Sequence, residues 1–210
     1  MSSYTNQKFT QHIRTPLSII VECGSRDCLD AIQMLNYYKP NKIYSFECNP
    51  ESIQVCKKNI KDQKDIVLME YAVSNHDGYI DFYATDMEKS TDKNIGASSA
   101  LFHRDQVNYI QKKITVPCKT LKSFMDENKI PEIDLLCLDL QGYEKIALDG
   151  LFDNIKFVKN IISEVSFQSF YHSDILFEEY KQYLKNNGFE HVETESYGGF
   201  GDALFVNTRI

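Results

Sequence analysis

Nowhere in the 210 residues is there a basic surplus: 23 lysines and arginines face 30 aspartates and glutamates, for a net charge of −7. A surface that binds nucleic acid shows a basic excess or stripe, and the lysines here are scattered, so no nucleic-acid partner is expected. No apolar run approaches the roughly 20 residues that a membrane-spanning helix needs. The opening stretch, MSSYTNQKFTQHIRTP, is too polar for a signal peptide, and a cytoplasmic protein is expected. None of the six cysteines, Cys23, Cys28, Cys48, Cys56, Cys118 and Cys137, forms a C-x-x-C pair. That speaks against zinc or a disulfide framework and for buried reduced thiols.

Glycine is scarce where a dinucleotide would need it. Residues 17–49, LSIIVECGSRDCLDAIQMLNYYKPNKIYSFECN, read as strand, tight turn, helix and second strand. The helix is marked by Cys28, Ala31, Ile32 and Leu35 at helical spacing, and the second strand stops at Glu47, about twenty residues after the turn. This is a nucleotide-binding β-α-β layout, with Gly24 letting the backbone approach a ligand and Glu47 able to take two ribose hydroxyls. A pyrophosphate-binding turn needs three glycines, and residues 24–28 supply one. S-adenosylmethionine has no phosphate, and Glu22 and Asp27 can face its ammonium and sulfonium groups. Taken alone, a single glycine and a single acid also describe an ordinary turn and a solvated strand end.

Asn49-Pro50 opens a second helix, with Ile53, Cys56 and Ile60 facing the sheet. Residues 66–73 read as a third strand, and residues 75–78 as a hairpin turn into an alternating strand at 79–83. Residues 84–100 are polar and aperiodic, a loop long enough to form a lid. A strand at 114–118 precedes a helix capped by Thr120. Residues 133–138 form an apolar run ending on Asp139, a strand buried on both faces. A turn at 141–144, a helix, a strand at 161–165 containing Glu164, a helix from Ser173 or Asp174 to Asn187-Gly188, and an antiparallel pair at 189–194 and 203–206 complete the chain. With no repeat and no internal boundary, residues 1–210 read as one domain, residues 1–16 being an extension over one edge of the sheet.

Two stretches, VECGSRD with FECNP, and TLKSF with IDLLCLDLQGYEKIALDGL, resemble the FkbM family of S-adenosylmethionine-dependent methyltransferases. YAVSNHDG, ASSALF, EVSFQSFY, NNGF and DALFVN match in the same order, so the resemblance runs from about Leu17 to Asn207. It implies a class I methyltransferase (Rossmann-like) α/β fold: a mostly parallel seven-stranded sheet, helices on both faces, and an antiparallel strand near the C-terminus. It also implies that S-adenosylmethionine lies against Glu22, Cys23, Gly24, Ser25, Asp27, Glu47, Cys48, Asn49 and Asp139. The sequence departs from the family at Cys28, where many members carry a second glycine, and at Gln141, often glutamate.

The chemistry so implied is O-methylation of a small polar acceptor, expected to be a sugar hydroxyl of a glycan or glycolipid. Such a hydroxyl needs a base. Asp139 is the first candidate, although it can instead cap its turn or anchor the cofactor; Glu164 and His172 follow, with structural or surface roles as their alternatives, and His103 ranks lower. Ala72 and Val73 offer a small apolar ledge for adenine, and Ser98 and Ser99 reach in from the lid. No residues have metal-ligand spacing, though Asp139, Glu144 and Glu164 can hold magnesium if they converge. The rival functions are a nicotinamide-dependent oxidoreductase and a catalytically silent cofactor-binding module.

Overall fold

The computed structural model describes residues 3–92 and 94–210. Its strands are β1 (Ile19–Cys23), β2 (Lys42–Phe46), β3 (Ile66–Met69), β4 (Ala72–Val73), β5 (Gly78–Thr85), β6 (Gln111–Lys119), β7 (Ile133–Leu138), β8 (Val158–Ser166), β9 (Phe189–Ser196) and β10 (Phe200–Asn207). Its helices are α1 (Gln7–Thr10), α2 (Leu29–Tyr38), α3 (Pro50–Asn59), α4 (Leu121–Asn128), α5 (Glu144–Asp149) and α6 (Phe177–Asn186). Seven strands form one sheet in the order β3-β2-β1-β7-β8-β10-β9, in which β10 alone runs against its neighbours. The chain winds outward from β1 through β2 and β3, then returns to the other side of β1 with β7. That reversal opens a crevice at the carboxyl ends of β1 and β7.

Alternation along the strands supplies both faces with apolar side chains. Val21, Cys23, Leu136 and Leu138 pack with α4, α5 and α6; Ile20, Leu135 and Cys137 pack with α2, α3 and the N-terminal segment. All six residues of β7 are buried, as a strand covered on both faces requires. Asn49 and Thr120 cap α3 and α4 through side-chain oxygens that accept from the Glu51 and Ser123 amides, each contributing about 1 kcal/mol. Among the described residues no helix is long and apolar enough to cross a membrane.

Four local expectations are corrected. Residues 66–73 are not one strand: β3 ends at Met69, and Ala72–Val73 leave for a second sheet of order β4-β6-β5. Residues 75–78 are not a hairpin turn, because β6 lies between the strands on either side, Cys118 pairing with both Ala72 and Gly78. Asp77 there accepts from the Thr120 amide and the Ser123 hydroxyl, tying the turn to α4 instead. The N-terminal segment covers a face of the sheet rather than an edge, since Tyr4, Phe9 and Ile13 join the same core as Ile20 and Leu135. Finally, α6 starts at Phe177, not at Ser173 or Asp174. Ser173 has φ +67°, and the Asp174 carboxylate accepts from the Phe170 and Tyr171 amides behind it.

Candidate active site

The crevice at the carboxyl edge holds a cavity of about 450 Å³, within the roughly 300–1,000 Å³ typical of small-molecule sites. Gly24, Ser25, Glu47, Cys48, Asn49, Ala72, Val73, Ser98, Asp139 and Glu164 line it. Gly24 is dictated by packing as much as by any ligand. Its φ is +91°, and a Cβ there would lie 1.9 Å from the Asp139 carbonyl oxygen, where β1 and β7 meet. Cys28 adopts φ +59° with its side chain fully buried, so a side chain is accommodated at a left-handed position that favours glycine.

Glu47 ends β2 with its carboxylate wrapped by the chain. Oε1 accepts from the amides of Cys48 and Asn49, and Oε2 from that of Arg26, each at 2.8 Å. A carboxylate has about four lone-pair positions. One remains, on Oε2, so Glu47 has room for a single further hydroxyl rather than the two anticipated. Burial pushes its pKa up, against the three amide bonds.

Across the crevice, Gln141 joins two acids. Its Nε2 donates to Asp139 Oδ1 (2.7 Å) and to Glu164 Oε2 (2.9 Å), while its Oε1 accepts from the Tyr171 hydroxyl (2.8 Å). Asp139 and Glu164 both have raised pKa values, first through burial; for Glu164 the negative charge of Asp139 adds to the rise. The Gln141 bond lowers both, and the Arg26 guanidinium also lowers that of Asp139. Glu144 does not converge with this pair on a metal. Its Oε1 accepts from the Leu140 and Gly142 amides, capping the turn, and burial pushes its pKa up to about 7. Among the described residues no group of three or more His, Cys, Asp or Glu is arranged to hold a metal ion.

Five anticipated site residues are absent from the cavity wall. Glu22 is buried beneath it, accepting from the Ser25 and Ser45 hydroxyls. Cys23 faces the core, and Asp27 accepts from the Leu29 amide at the start of α2. Ser99 donates to the Gln141 carbonyl (2.9 Å) and accepts from the Leu101 amide, so its hydroxyl is spent on backbone. His172 is exposed and stacks on Phe102 with ring centroids 6.0 Å apart. The histidine that lines the cavity is His103. Its Nδ1 lies 3.0 Å from the Asp105 amide nitrogen and 3.3 Å from the Asp105 carbonyl oxygen, and burial lowers its pKa, which favours the neutral ring.

Other wall residues escaped the sequence reading. Tyr4 comes from an N-terminal segment that carries no motif, and Arg26, Tyr143, Phe170, Tyr171 and Phe200 come from loops or strand ends. Arg26 carried the only usable signal, a lone cation beside Glu22 and Asp27 in the glycine turn.

This architecture has a counterpart in sequence: residues 22–191 match the family described as Methyltransferase FkbM domain. The chain belongs to that family. The chain is also similar to the 2-O-methyltransferase NoeI of Sinorhizobium fredii (strain NBRC 101917 / NGR234), 25% identical over 203 residues, an alignment covering 94% of this chain and 83% of NoeI. Among solved structures, methyltransferase FkbM from Methylobacillus flagellatus KT superposes with a TM-score of 0.63 at 10% identity, over 97% of this chain. The present chain spans 46% of the length of that protein. M. capricolum TrmK in complex with S-adenosyl-homocysteine gives a TM-score of 0.55 at 12% identity, over 99% of this chain and 69% of TrmK. The FkbM-domain chain therefore has the class I methyltransferase fold, a mostly parallel seven-stranded sheet with the reversed strand near the C-terminus.

Proposed function

We propose that the chain is an S-adenosylmethionine-dependent O-methyltransferase whose acceptor is a sugar hydroxyl of a glycan or glycolipid. The carrying observation is the pair Asp139 and Glu164, joined by Gln141 in the same cavity that Glu47 enters from β2. The donor set suits this cofactor. Glu47 keeps one lone pair for a ribose hydroxyl, Ala72 and Val73 form an apolar ledge, and Asp30 and Asp139 in the wall, rather than a glycine-rich phosphate cradle, would face the cationic tail. Oxygen as the acceptor atom follows the resemblance to a 2-O-methyltransferase.

S-adenosylmethionine would supply an electrophilic methyl group on its sulfonium. The residues of this chain have to align the acceptor oxygen, exclude water and remove a proton. Alignment contributes about 7–11 kcal/mol of barrier lowering and a positioned base about 10²–10⁴ in rate. Asp139 stands at the end of β7, between the Gly24 side of the crevice and the Glu164 side. Its Oδ1 is held by Gln141, which leaves Oδ2 to take the acceptor's proton. Glu164, one strand further on, accepts from a second hydroxyl and orients the acceptor.

The test is to incubate the protein with methyl-labelled cofactor and a panel of free and glycan-linked sugars, then identify labelled products by mass spectrometry. Label on a sugar oxygen supports the proposal. Cofactor binding without transfer to any acceptor, or tight NAD binding with no response to S-adenosylmethionine, would overturn it. Asp139→Asn keeps the shape but not the basicity. Its turnover is expected to fall by roughly 10² or more with cofactor affinity little changed. A parallel fall in affinity would make Asp139 an anchor instead.

A further inference from the structure

The residues lining the crevice follow the order of the strands: Glu47 after β2, Gly24 after β1, Asp139 after β7, Glu164 in β8 and Phe200 at the start of β10. Neighbouring strands lie about 4.8 Å apart, so the four steps from Glu47 to Phe200 cover roughly 19 Å. On the function proposed above, the cofactor occupies the first two steps, with its ribose at Glu47 and its reactive end near Asp139. The remaining two steps, from Asp139 to Phe200, belong to the acceptor.

That half of the cavity has an aromatic corner. Phe200 pairs across the strands with Ser166, and both line the cavity. Phe170 stands against Phe200 with ring centroids 6.3 Å apart and planes at 77°. The corner is built in rather than incidental. A Cβ on Gly199 would lie 2.5 Å from Gln168 Nε2 and 2.6 Å from Phe170 Cζ, so the glycine leaves room that this ring shares with the Gln168 amide. The Phe170 backbone is fixed on both sides, its amide donating to Asp174 Oδ2 (2.8 Å) and its carbonyl accepting from the Arg104 amide (2.9 Å). Phe200 nevertheless keeps 41% of its surface exposed at the cavity mouth.

An open aromatic corner beside anionic oxygens selects a particular ligand chemistry. A saturated ring with C–H groups on its faces and hydroxyls on its rim would lay a face on Phe200 or Phe170 and donate to Glu164 and Asp139. A flat heteroaromatic ring or an alkyl chain could occupy the corner, but it would bring few donors to carboxylates that lose water on binding. We propose that Phe170 and Phe200 form the acceptor subsite and take a pyranose unit, stacked on the rings with its hydroxyls toward Glu164 and Asp139. This rests on the proposed function, and it assigns specificity to two residues that touch neither the cofactor half nor the base.

The test uses the full chain saturated with S-adenosylhomocysteine, whose affinity is measured by calorimetry for the wild type and for Phe200→Ala and Phe200→Tyr. Saturation-transfer NMR with a panel of methyl and nitrophenyl pyranosides then reads sugar binding directly. The expected result is unchanged cofactor-product affinity in all three proteins, and transfer to pyranose C–H protons that falls about fivefold or more in Phe200→Ala and is kept in Phe200→Tyr. Equal transfer in Phe200→Ala, or none from the wild type to any pyranoside, overturns the subsite while the cofactor reading stands. Transfer confined to the aglycone of nitrophenyl pyranosides overturns the sugar and favours a flat acceptor. Absence of S-adenosylhomocysteine binding by the wild type overturns the function itself, and the subsite with it.

Discussion

At the scale of single residues, Gln141 has the largest chemical reach for one side chain. Both hydrogens of its amide go to carboxyl oxygens, so it holds two acidic groups close together and favours their ionised forms. It does so from φ +55°, a backbone conformation that glycine adopts freely. Gln141→Gly therefore removes the amide without straining the turn. Without those bonds, the raised pKa values of Asp139 and Glu164 rise further. A catalytic base works only when deprotonated, so the acid limb of kcat/KM is expected to move to higher pH in Gln141→Gly. A pH–rate profile of labelled methyl transfer checks this; a limb that stays in place, or moves to lower pH, would separate Gln141 from the titrating groups.

At the scale of elements, the decisive contact joins the segment after β5 to the turn after β7. Ser99 bridges to Tyr83 in β5 through paired backbone bonds, and its hydroxyl reaches the Gln141 carbonyl 42 residues away. Tyr171 adds a second tie, its hydroxyl lying 3.1 Å from the Ala97 carbonyl and 2.8 Å from Gln141 Oε1. Polar composition made residues 84–100 look like a lid; among its described residues, 94–98 and Ala100 line the cavity and Ser99 pins them to the turn after β7. Ser99→Ala removes one donor and leaves the Leu101 amide without its acceptor, a loss of about 1–3 kcal/mol. Faster hydrogen exchange around residues 97–101, together with a higher acceptor KM, is expected. Exchange no faster than in the wild type would mean that Tyr171 alone holds the segment.

At the scale of the whole molecule, charge and topology act together. The chain carries a net charge of −7, and among the described residues the cavity is lined by Asp30, Glu47, Asp105, Asp139 and Glu164 with the guanidinium of Arg26. Burial pushes the pKa of Glu22, beneath this wall, up to about 7, and a cation bound nearby would lower it, because a nearby positive charge favours the ionised form. Binding of S-adenosylmethionine near pH 7 is therefore expected to release protons, and more of them than binding of S-adenosylhomocysteine, which lacks the sulfonium charge. Calorimetry in buffers of different ionisation enthalpy measures the difference; enthalpies independent of buffer for both ligands would refute it. The β-α-β unit, the strand ending on Asp139, the caps at Asn49 and Thr120 and the seven-stranded sheet were all legible in the sequence. Each is encoded by spacing, by a chemically suited residue at a chain reversal, or by motifs kept in order along the chain. Only the tertiary structure decided that β6 separates β4 from β5, that Glu47 has one lone pair left, that His103 rather than His172 reaches the cavity, and that Gln141 spans two acids. Those facts depend on the order in which strands pair and on the exact path of each turn, which fix the groups that meet a given side chain, and local periodicity carries no record of that.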